Sequence, residues 1–397
     1  MDNISFERAF EILLENTHSL PPVLINAEDS LNGVLAEDIH SNIDFPFYDS
    51  ALMDGYALRI NEERCGLGFK GLTVFKIVAD ETGSLNNFEA VKIMTGERVH
   101  ENANVLIKIE DVVAGGFLKG GELIVPEEFE FQCYKNIKKK GEDIKKGDLL
   151  LEKNSLILPS HIGILGYLKK PYIKVCRRPT ASLFSFDGRI AEHAAFKEDA
   201  SSFVLISLLK SLSVNVNYFG IKKDKEELLE GLKDALKSDI VIISGGITGS
   251  DSNSAAAECL NLVGCKKLFQ GLNIKPGKPF TAEIYDKSTF FILPKNIFDT
   301  IVLFEKFIRP VVLKMSGFKD LLKPAFKFKM EDEIKKKDGR THFVLAEGYK
   351  KQDGLYYAKK AGPQTLSSLK NFNVLLTLAE ESRGAKAGEE AEGYFIY

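Results

Sequence analysis

Apolar and polar positions change their spacing several times along the chain, and each change marks a predicted element. Behind Ser5, apolar residues from Phe6 to Leu14 recur at the spacing of one helical face. Ser5 is a residue type that suits an N-cap, and the prolines of "SLPPVLI" cannot continue a helix. The sequence therefore predicts a helix at the N-terminus that ends before these prolines.

The next segment changes to short apolar runs separated by Gly, Asn and Asp. This pattern runs from about residue 44 to residue 141 and predicts a β-rich domain. Residues 1–43 and 142–171 flank it and are predicted to form one mixed domain, into which the β-rich domain is inserted. Most of the stretch from Gly141 to Pro171 is expected to be helix-like.

Strands and helices alternate from residue 172 to residue 317. "YIKVCRRPTASLFSF" and "DIVIIS" are strand-like, and Phe203 to Leu212 is helical in pattern. This alternation predicts a doubly wound α/β domain with a parallel sheet, whose first strand pair is joined through a helix. Phe280 to Leu293 predicts a hairpin around "DKS". A long helix follows, interrupted near Pro310 and ended by Gly317.

Residues 318–397 return to a strand pattern. Two Asp-Gly pairs, Asp338-Gly339 and Asp353-Gly354, are typical of tight hairpin turns. The sequence predicts a small β domain here. The fold class is therefore multidomain, α/β plus β.

Length and charge narrow the range of functions. A chain of 397 residues predicts two to four domains. With 53 Lys+Arg against 56 Asp+Glu, there is no basic excess of the kind that nucleic-acid binders show. No apolar run approaches the ~18 residues of a membrane span, and "MDNISFERAF" lacks a signal-peptide pattern. We therefore expect a cytoplasmic protein with neither a nucleic-acid nor a membrane partner.

Cysteine and histidine usage indicates the kind of metal to expect. The five cysteines contain no C-x-x-C pair, and we expect them all to be reduced thiols. The six histidines contain no H-x-x-x-H pair, which argues against a zinc site. Any metal is expected to be a hard cation held by carboxylates.

A glycine-rich segment after "DIVIIS" is the first candidate site. Gly245, Gly246 and Gly249 would let backbone amides approach an anion, Ser250 offers a hydroxyl, and a helix is expected to begin near Ser254. Ligands bind beyond the carboxyl ends of strands in such sheets. A tight strand-to-helix turn without a ligand explains the same residues, and the pattern alone leaves both interpretations open.

"NIKPGKP" is the second candidate. Pro276 and Pro279 stiffen the segment and Gly277 allows a turn, so Lys275 and Lys278 are expected to be fixed charges. Fixed ammonium groups suit a phosphate or another oxyanion, although a solvated surface turn is the alternative.

Residues at predicted strand ends form the third candidate, in which Thr95-Gly96 of "KIMTG" and Glu110-Asp111 of "VLIKIED" could together hold a ligand, although ordinary strand ends explain them better. Two further acids belong to the opening stretch and to "GEDIKKGD". Asp54 precedes Gly55 and is expected to ligate a cation or accept a proton. Asp143 lies in "GEDIKKGD", and Thr95 ends the strand-like "KIMTG". Each residue alone is also explained as a turn or capping residue.

Taken together, the ordered motifs resemble a known family. "YDSALMDGYALR", "KIMTG", "GEDIKKGD", "DIVIISGGITGSD" and "NIKPGKP" are similar in order and spacing to the molybdopterin molybdenumtransferases, which are related to the C-terminal region of gephyrin. The resemblance covers essentially the whole chain. It implies four domains, with an α/β domain like that of the molybdopterin adenylyltransferases, a C-terminal β-barrel domain, and a homodimer.

The resemblance also implies a reaction. The substrates are adenylylated molybdopterin and molybdate, the metal is inserted at the dithiolene, AMP is released, and Mg²⁺ assists. Molybdopterin adenylyltransferase and molybdoenzyme-maturation proteins are the implied partners. The active site is expected in a cleft between subunits, where the Asp-Gly loop of one faces the α/β domain of the other.

Site residues follow from the resemblance by motif. The implied catalytic residues are Asp54, Asp143 and Asp251. Those implied to bind substrate are Thr95, Asp239, Gly245, Gly246, Gly249, Ser250, Lys275 and Lys278, and those implied to bind metal are Asp54 and Asp187.

Several positions depart from the family pattern, mostly in the α/β pocket. Arg189 replaces a glutamate, Asn253 an aspartate, Gly271 a lysine, Lys295 a glycine and Ile297 a proline. Three hypotheses result. The first is an active transferase. The second is an impaired homologue that binds a pterin nucleotide or pathway partners as a scaffold or carrier. The third is a hydrolase or transferase acting on another nucleotide.

Overall fold

The computed structural model describes residues 3–67, 71–79, 84–115, 121–127, 129–186, 199–246, 254–362 and 365–396. The chain divides into two compact units. The first comprises Met1–Glu37, Lys153–Gly163 and Pro171–Tyr397, and the second comprises Asp38–Glu152 and Ile164–Lys170. Within the described ranges, no helix combines the length and the apolar character needed to cross a membrane.

The helices are α1 (Phe6–Glu15), α2 (Pro159–Tyr167), α3 (Ala200–Ser211), α4 (Lys225–Ala235), α5 (Ala255–Leu262), α6 (Ile297–Leu303) and α7 (Arg309–Met315). The strands before α2 are β1 (Pro22–Asn26), β2 (Ile39–His40), β3 (Ser50–Ala51), β4 (Gly55–Leu58), β5 (Thr73–Ile77), β6 (Glu89–Ile93), β7 (Val105–Lys108), β8 (Ala114–Gly115), β9 (Glu122–Val125), β10 (Ile137–Lys138) and β11 (Leu149–Leu151). The strands after α2 are β12 (Tyr172–Cys176), β13 (Thr180–Phe186), β14 (Asn215–Lys222), β15 (Ile240–Gly245), β16 (Lys266–Gln270), β17 (Ile274–Lys275), β18 (Thr281–Tyr285), β19 (Ser288–Leu293), β20 (Phe326–Met330), β21 (Ile334–Lys335), β22 (Thr341–Lys350), β23 (Tyr356–Lys360), β24 (Val374–Leu378), β25 (Gly384–Ala385) and β26 (Glu390–Phe395).

Two local predictions near the chain start have clear outcomes. The helix at the N-terminus is confirmed, because Ser5 Oγ accepts the backbone N–H of Arg8 at 3.2 Å and caps α1. The helix-like prediction for residues 141–171 is wrong over most of its length. Helix α2 takes only Pro159–Tyr167, and Leu149–Leu151 pairs with β2 as a strand. A run of leucines is equally apolar in a helix and in a strand, so its composition did not separate the two.

The second unit contains the predicted β-rich domain. Its six-stranded sheet has the order β7-β4-β6-β5-β9-β8. Tyr56, Phe75 and Phe131 are fully buried within the same apolar cluster on this sheet.

A disulfide corrects the expectation that all cysteines are reduced. Cys65 and Cys133 are bonded, with a Cα–Cα distance of 5.4 Å that is ordinary for a disulfide. Both residues are half-buried. Their separation of 68 residues gave no recognisable motif, since the partners meet only through the sheet. Among the described cysteines, Cys176, Cys259 and Cys265 are free thiols.

The first unit contains the doubly wound α/β domain that the sequence predicts. Its sheet order is β14-β13-β15-β19-β18-β16, with β14, β13, β15 and β19 parallel and β18 antiparallel to both of its neighbours. Apolar clusters cover both faces. Helix α3 joins the parallel strands β13 and β14, and β18 and β19 form the predicted hairpin.

The long helix after this hairpin is widened where the sequence predicts an interruption. Residues Phe304–Ile308 form a π-helical turn between α6 and α7, and Arg309 donates its N–H to the carbonyl of Phe304. Pro310 lies in the first turn of α7. Proline has no N–H and clashes with the carbonyl four residues earlier, so a wider turn before it keeps the helix continuous. Gly317, at φ +85°, follows its end.

The C-terminal domain is a closed barrel of five strands. Strands β22, β23, β20, β26 and β24 pair in sequence, and β24 also pairs with β22. Strand β17 joins the barrel by pairing in parallel with β22. Phe280 and Phe307 of the α/β domain share one buried cluster with Phe343 and Leu375 of the barrel. The barrel and the α/β domain therefore have a common core.

A buried carboxyl lies in the α/β sheet. The side chain of Glu283 on β18 is fully buried, and neither of its oxygens has a hydrogen-bond partner among the described residues. Burial raises the pKa of Glu283 to about 7, against the opposing effect of the Lys267 charge. Burial and the nearby Glu283 also raise the pKa of Cys265 to about 12. The effect of desolvation on the pKa of Glu283 is therefore larger than the opposing effect of the Lys267 charge.

This carboxyl makes stability depend on pH. Glu283 binds its proton more tightly in the folded chain, where its pKa is about 7, than at its ordinary value of 4.5. Its contribution to the free energy of unfolding is therefore fully present below about pH 4.5 and is lost as pH rises through about 7. We expect Glu283→Gln to remove this loss, as measured by denaturant unfolding at several pH values. The exposed Glu333→Gln is the control, and an E283Q effect that is equal at every pH would contradict the assignment.

The disulfide should stabilise the second unit. Closing a loop of this length contributes about 4 kcal/mol in the chain-entropy model. We expect dithiothreitol to lower the unfolding midpoint of the wild type and of Cys176→Ser, but not that of Cys65→Ser/Cys133→Ser. Calorimetric scans with and without reductant measure this. Identical midpoints for the wild type in both conditions would mean that the bond does not form in the purified protein.

Candidate functional site

Asp54 is held at the start of β4 by one neighbouring residue. Thr95 donates both its backbone N–H and its hydroxyl to Asp54 Oδ1, each at 2.7 Å. These two hydrogen bonds, together with the charge of Lys92, hold the pKa of Asp54 below its ordinary value. The structure thus brings together Asp54 and Thr95, which lie in separate sequence motifs.

Close packing against strand β7 explains why a glycine, Gly55, follows this acid. A Cβ atom at Gly55 would lie 1.9 Å from the carbonyl oxygen of Ile107 on the neighbouring strand β7. Only glycine allows the two strands to approach this closely. The Asp-Gly pair therefore fixes the acid at a strand end, next to a backbone contact that tolerates no side chain.

Three sequence motifs meet around β3. Ser50 and Ala51 pair with Lys138 and Ile137 of β10, and Gly141, the first residue of "GEDIKKGD", donates its N–H to the carbonyl oxygen of Pro46 at 3.1 Å. Ala51 also accepts the N–H of Gly96 at 2.8 Å, directly after Thr95. The motifs "YDSALMDGYALR", "KIMTG" and "GEDIKKGD" are therefore neighbours in the fold.

The acids of this region are paired with lysines. Lys138 Nζ donates to Asp143 Oδ2 at 3.1 Å, and Lys139 Nζ donates to Asp49 Oδ2 at 2.8 Å. Partial burial acts to raise the pKa of Asp49, but hydrogen bonds from Lys139 and Lys140 hold it below its ordinary value. Asp49 was not among the predicted site residues. Its pairing with residues 90 positions away has no local signal.

Tyr134 connects this acid and lysine cluster to the disulfide. Its hydroxyl donates to Glu62 Oε1 at 3.3 Å, and its ring lies 4.2 Å from Lys139 Nζ. Tyr134 directly follows the bonded Cys133. The disulfide therefore anchors one side of the segment that carries Lys138 and Lys139.

In the first unit, Gly245 and Gly246 end β15 in a conformation that requires glycine. Their φ angles are +104° and +76°, and a Cβ at Gly245 would lie 2.1 Å from the carbonyl oxygen of Phe186. Helix α5 follows with Ser254 as its N-cap, as the sequence predicts, and Ser254 Oγ accepts the N–H of Ala257 at 3.1 Å. The geometry explains the glycines by packing alone. Anion binding by Gly245 and Gly246 stays a prediction.

The carboxyl edge of the sheet carries further basic residues. Strands β19 and β16 run in the same direction as β15, so Lys295 and the "NIKPGKP" segment lie beyond the same edge. A Cβ at Gly245 would lie 3.7 Å from Lys295 Cβ. Three strand spacings separate β15 from β16, roughly 14 Å. Lys295 was noted in the sequence only as a departure, although its place after a strand end was a signal for this edge.

Asp239 lies at the opposite end of β15. It accepts two hydrogen bonds from Arg177, at 2.7 and 2.9 Å, and two from Thr180, both at 2.8 Å. Burial acts to raise the pKa of Asp239, but these bonds hold it below its ordinary value. The strand places it roughly 20 Å from Gly245. These contacts are those of a structural ion pair. They give no support to a role of Asp239 in substrate binding, which stays a prediction.

Lys275 lines a cationic pocket between the α/β domain and the barrel. The pocket has a volume of about 340 Å³. Its basic lining residues are Lys275, Lys335, His342 and Lys360, and its remaining lining residues are Pro276, Phe298, Val302, Ile334, Phe343, Val344, Leu345, Ala361, Gly362 and Ser368. No acidic side chain is part of this lining in the described ranges. Sequence reasoning missed Lys335, on β21, and His342 and Lys360, on barrel strands β22 and β23.

The turn that carries Lys278 is held by an acid. Gly277, at φ +98°, donates its N–H to the carboxylate of Asp299. Burial nevertheless raises the pKa of Asp299 above its ordinary value. Lys278 is exposed, as Lys275 is, but it lies outside the lining of this pocket. The two predicted lysines therefore have different surroundings, and only Lys275 lies in a pocket.

Four predicted residues, Asp187, Gly249, Ser250 and Asp251, lie outside the described residues, as does Arg189. Among the described residues, no group of three or more His, Cys, Asp or Glu side chains is arranged to hold a metal. Asp54 has one oxygen, Oδ2, for which no hydrogen bond is found in the described part of the chain. This fits Mg²⁺, which commonly takes one or two protein carboxylates and completes its shell with water and phosphate.

Fold and site together define a class of multidomain protein. One unit combines an α/β domain and a β-barrel around a pocket with basic lining residues, and the other is β-rich and carries the carboxylates Asp49, Asp54 and Asp143. Three family models match consecutive parts of the chain. They are the MoeA N-terminal region (domain I and II) over residues 4–168, a probable molybdopterin binding domain over residues 185–314, and the MoeA C-terminal region (domain IV) over residues 327–396. The chain belongs to the MoeA family, the molybdopterin molybdenumtransferases.

Individual relatives agree over the full length. A molybdopterin molybdenumtransferase from Haemophilus influenzae is 29% identical over 385 residues, which are 92% of this chain and 91% of the relative. One from Staphylococcus aureus is 26% identical over 407 residues, covering 98% and 94%. The crystal structure of a molybdopterin biosynthesis MoeA protein from Pyrococcus horikoshii has a TM-score of 0.81 at 23% identity, covering 100% of both chains. That structural likeness supports the fold.

The Thr95 contacts predict a measurable shift. We expect Thr95→Val to raise the pKa of Asp54 towards its ordinary value, because the hydroxyl donor is lost, whereas Thr95→Ser should keep it low. Carboxyl ¹³C NMR titrations measure both, with Asp54→Asn identifying the resonance. If T95V and T95S titrate alike, the hydroxyl is not what stabilises the ionised acid.

Proposed function

We propose that this protein inserts molybdenum from molybdate into adenylylated molybdopterin and releases AMP, as a step of molybdenum cofactor biosynthesis. Its family and curated relatives are those of molybdenum cofactor biosynthesis. The observation that carries the proposal is the pocket beside Lys275. It presents three lysines and a histidine and, in its described lining, no carboxylate. That chemistry suits an oxyanion such as molybdate or a phosphate.

The apolar part of the pocket supports a substrate larger than an ion. Phe298, Val302 and Phe343 line it beside Lys275. Apolar walls with a few convergent polar groups are typical of sites that bind organic ligands. Lys275 and Lys360 would hold the anionic groups, and the apolar walls would contact the organic part of the substrate.

The acids of the second unit have a different part in the proposal. Asp54, oriented by Thr95, would hold Mg²⁺ together with substrate phosphate oxygens. The ion would supply charge neutralisation at the phosphoanhydride. Asp143 is already paired with Lys138 and would orient that lysine rather than accept a proton. Asp187 and Asp251 keep their proposed roles as metal and catalytic residues by motif alone.

We further propose that the chain works as a homodimer, with the acids of one subunit completing the lysine pocket of the other. A cytoplasmic location and contact with a molybdopterin adenylyltransferase are part of the same proposal.

A second candidate is a scaffold or carrier that binds the pterin nucleotide without turning it over. The position of Lys295 favours it. Lys295 stands where the resemblance implies a glycine, and its Cβ lies 3.7 Å from the position that a Cβ at Gly245 would take. Binding of adenylylated molybdopterin without AMP release would select this candidate.

Reconstitution tests the first proposal. Purified protein, adenylylated molybdopterin, Mg²⁺ and molybdate are mixed, and AMP and active cofactor are measured. We expect AMP release that falls at least about tenfold in Lys275→Met and Asp54→Asn, since each removes a charged group from the reacting centre. Lys327→Met, an exposed barrel lysine outside the pocket, is the control. If the wild type showed no binding and no turnover, both candidates would be refuted.

Mixing two inactive variants tests the shared site. If D54N and K275M subunits reassociate at random, half of the dimers are mixed, and each mixed dimer holds one intact site. We expect about a quarter of wild-type activity to return, because a two-fold axis makes both clefts equivalent. No recovery, despite subunit exchange seen by native mass spectrometry, would place the acids and lysines of each site on one chain.

A further inference from the structure

His342 differs from the other basic residues of the Lys275 pocket. Its Nε2 donates to Asp338 Oδ1 at 2.6 Å, and Arg340 donates to Asp338 Oδ2 at 2.6 Å. Only 9% of the His342 side chain is exposed, although it lines the pocket. The ring is therefore held in one orientation by a carboxylate that is itself anchored.

The strand register places His342 beside Lys275. Strands β17 and β22 are parallel, and Lys275 is the register partner of His342. Lys336 is the other nearby cation, and its Nζ is fixed by the carbonyl oxygens of Ala379, Glu380 and Ser382. The charged groups that act on His342 are thus Asp338 on one side and Lys275 and Lys336 on the other.

Burial and these opposing charges together move the pKa of His342 below its ordinary value. Burial lowers the pKa of His342, and the charges of Lys275 and Lys336 lower it further. The contact with Asp338 raises the pKa but offsets only part of this effect. Because Asp338 is also paired with Arg340, its negative charge does not fully offset the lowering of the His342 pKa. His342 is therefore neutral at neutral pH when no anion is bound, because its pKa lies below its ordinary value.

We propose that the Asp338–His342 pair is the proton-sensitive element of this pocket, and that a divalent tetrahedral oxyanion binds there together with one proton taken up by His342. The proposal rests on the proposed function, because it assigns a further property to the same anion pocket. A bound dianion reverses the balance of charge around the ring, since negative charge nearby favours the imidazolium. Oxyanion affinity then rises as pH falls.

Sulfate is the probe that isolates the protein's own titration. It remains a dianion from pH 5.5 to 8.5, so any pH dependence of binding belongs to the protein. We expect calorimetry in two cationic buffers of different ionisation enthalpy to show uptake of up to about one proton per sulfate at pH 7. The dissociation constant should increase by up to about tenfold per pH unit between the free and bound pKa values. Molybdate, measured above pH 7, should compete with sulfate.

Two variants separate the proton-sensitive role from a structural one. His342→Gln retains an amide N–H for Asp338 but cannot titrate, so we expect no proton uptake, weaker sulfate binding at pH 6 and little change at pH 8.5. Lys335→Met should weaken binding by a similar factor at every pH and keep the uptake. If His342 had only a structural role, H342Q would lower the affinity for sulfate but leave the dependence of that affinity on pH unchanged.

The outcomes distinguish this inference from the proposed function. An unchanged slope in H342Q would overturn the inference while leaving the pocket as an anion site, provided that Lys275→Met abolishes sulfate binding. No binding of either anion by the wild type would remove the pocket from both proposals. If H342Q does not fold, imidazole ¹⁵N NMR of the wild type decides instead. Sulfate must raise the His342 pKa, and an unmoved pKa overturns the inference.

Discussion

One short strand pairing supports the pocket on which the functional proposal depends. Ile274 and Lys275 leave the α/β domain and pair in parallel with Thr341 and His342 of the barrel. The pairing places two basic side chains from different domains side by side. It is reinforced by the common core beneath it, where Phe280 and its neighbours pack against the barrel. Without this register, the lysines of the barrel and of "NIKPGKP" would belong to separate surfaces.

How far the sequence predicted the molecule follows from the range of each interaction. Helix α1, the hairpin at "DKS" and the cap at Ser254 depend on residues a few positions apart, and local patterns identified them. The pairing of Lys275 with His342 joins residues far apart in the chain, and so does the Cys65–Cys133 bond. No local pattern encodes these meetings, because they are set by how strands stack and barrels close.

The departures from the family pattern have physical consequences where the structure describes them. Gly271, where the resemblance implies a lysine, has φ +78°, and a Cβ there would lie 2.5 Å from Asn3 Oδ1. A lysine at this position would thus be strained in the present backbone, because its Cβ would collide with the side chain of Asn3. Lys295 returns a positive charge to the same edge of the sheet at a different place.

The surroundings of Asp54 limit the chemistry that it can perform. An acid acts as a general base most effectively when its pKa lies near the working pH. The two hydrogen bonds from Thr95 move the pKa of Asp54 in the opposite direction, below its ordinary value. The ionised carboxylate is therefore a weak base but a permanent negative charge with a fixed orientation. Of the two roles that the sequence left open for Asp54, cation ligand or proton acceptor, the structure favours the cation ligand.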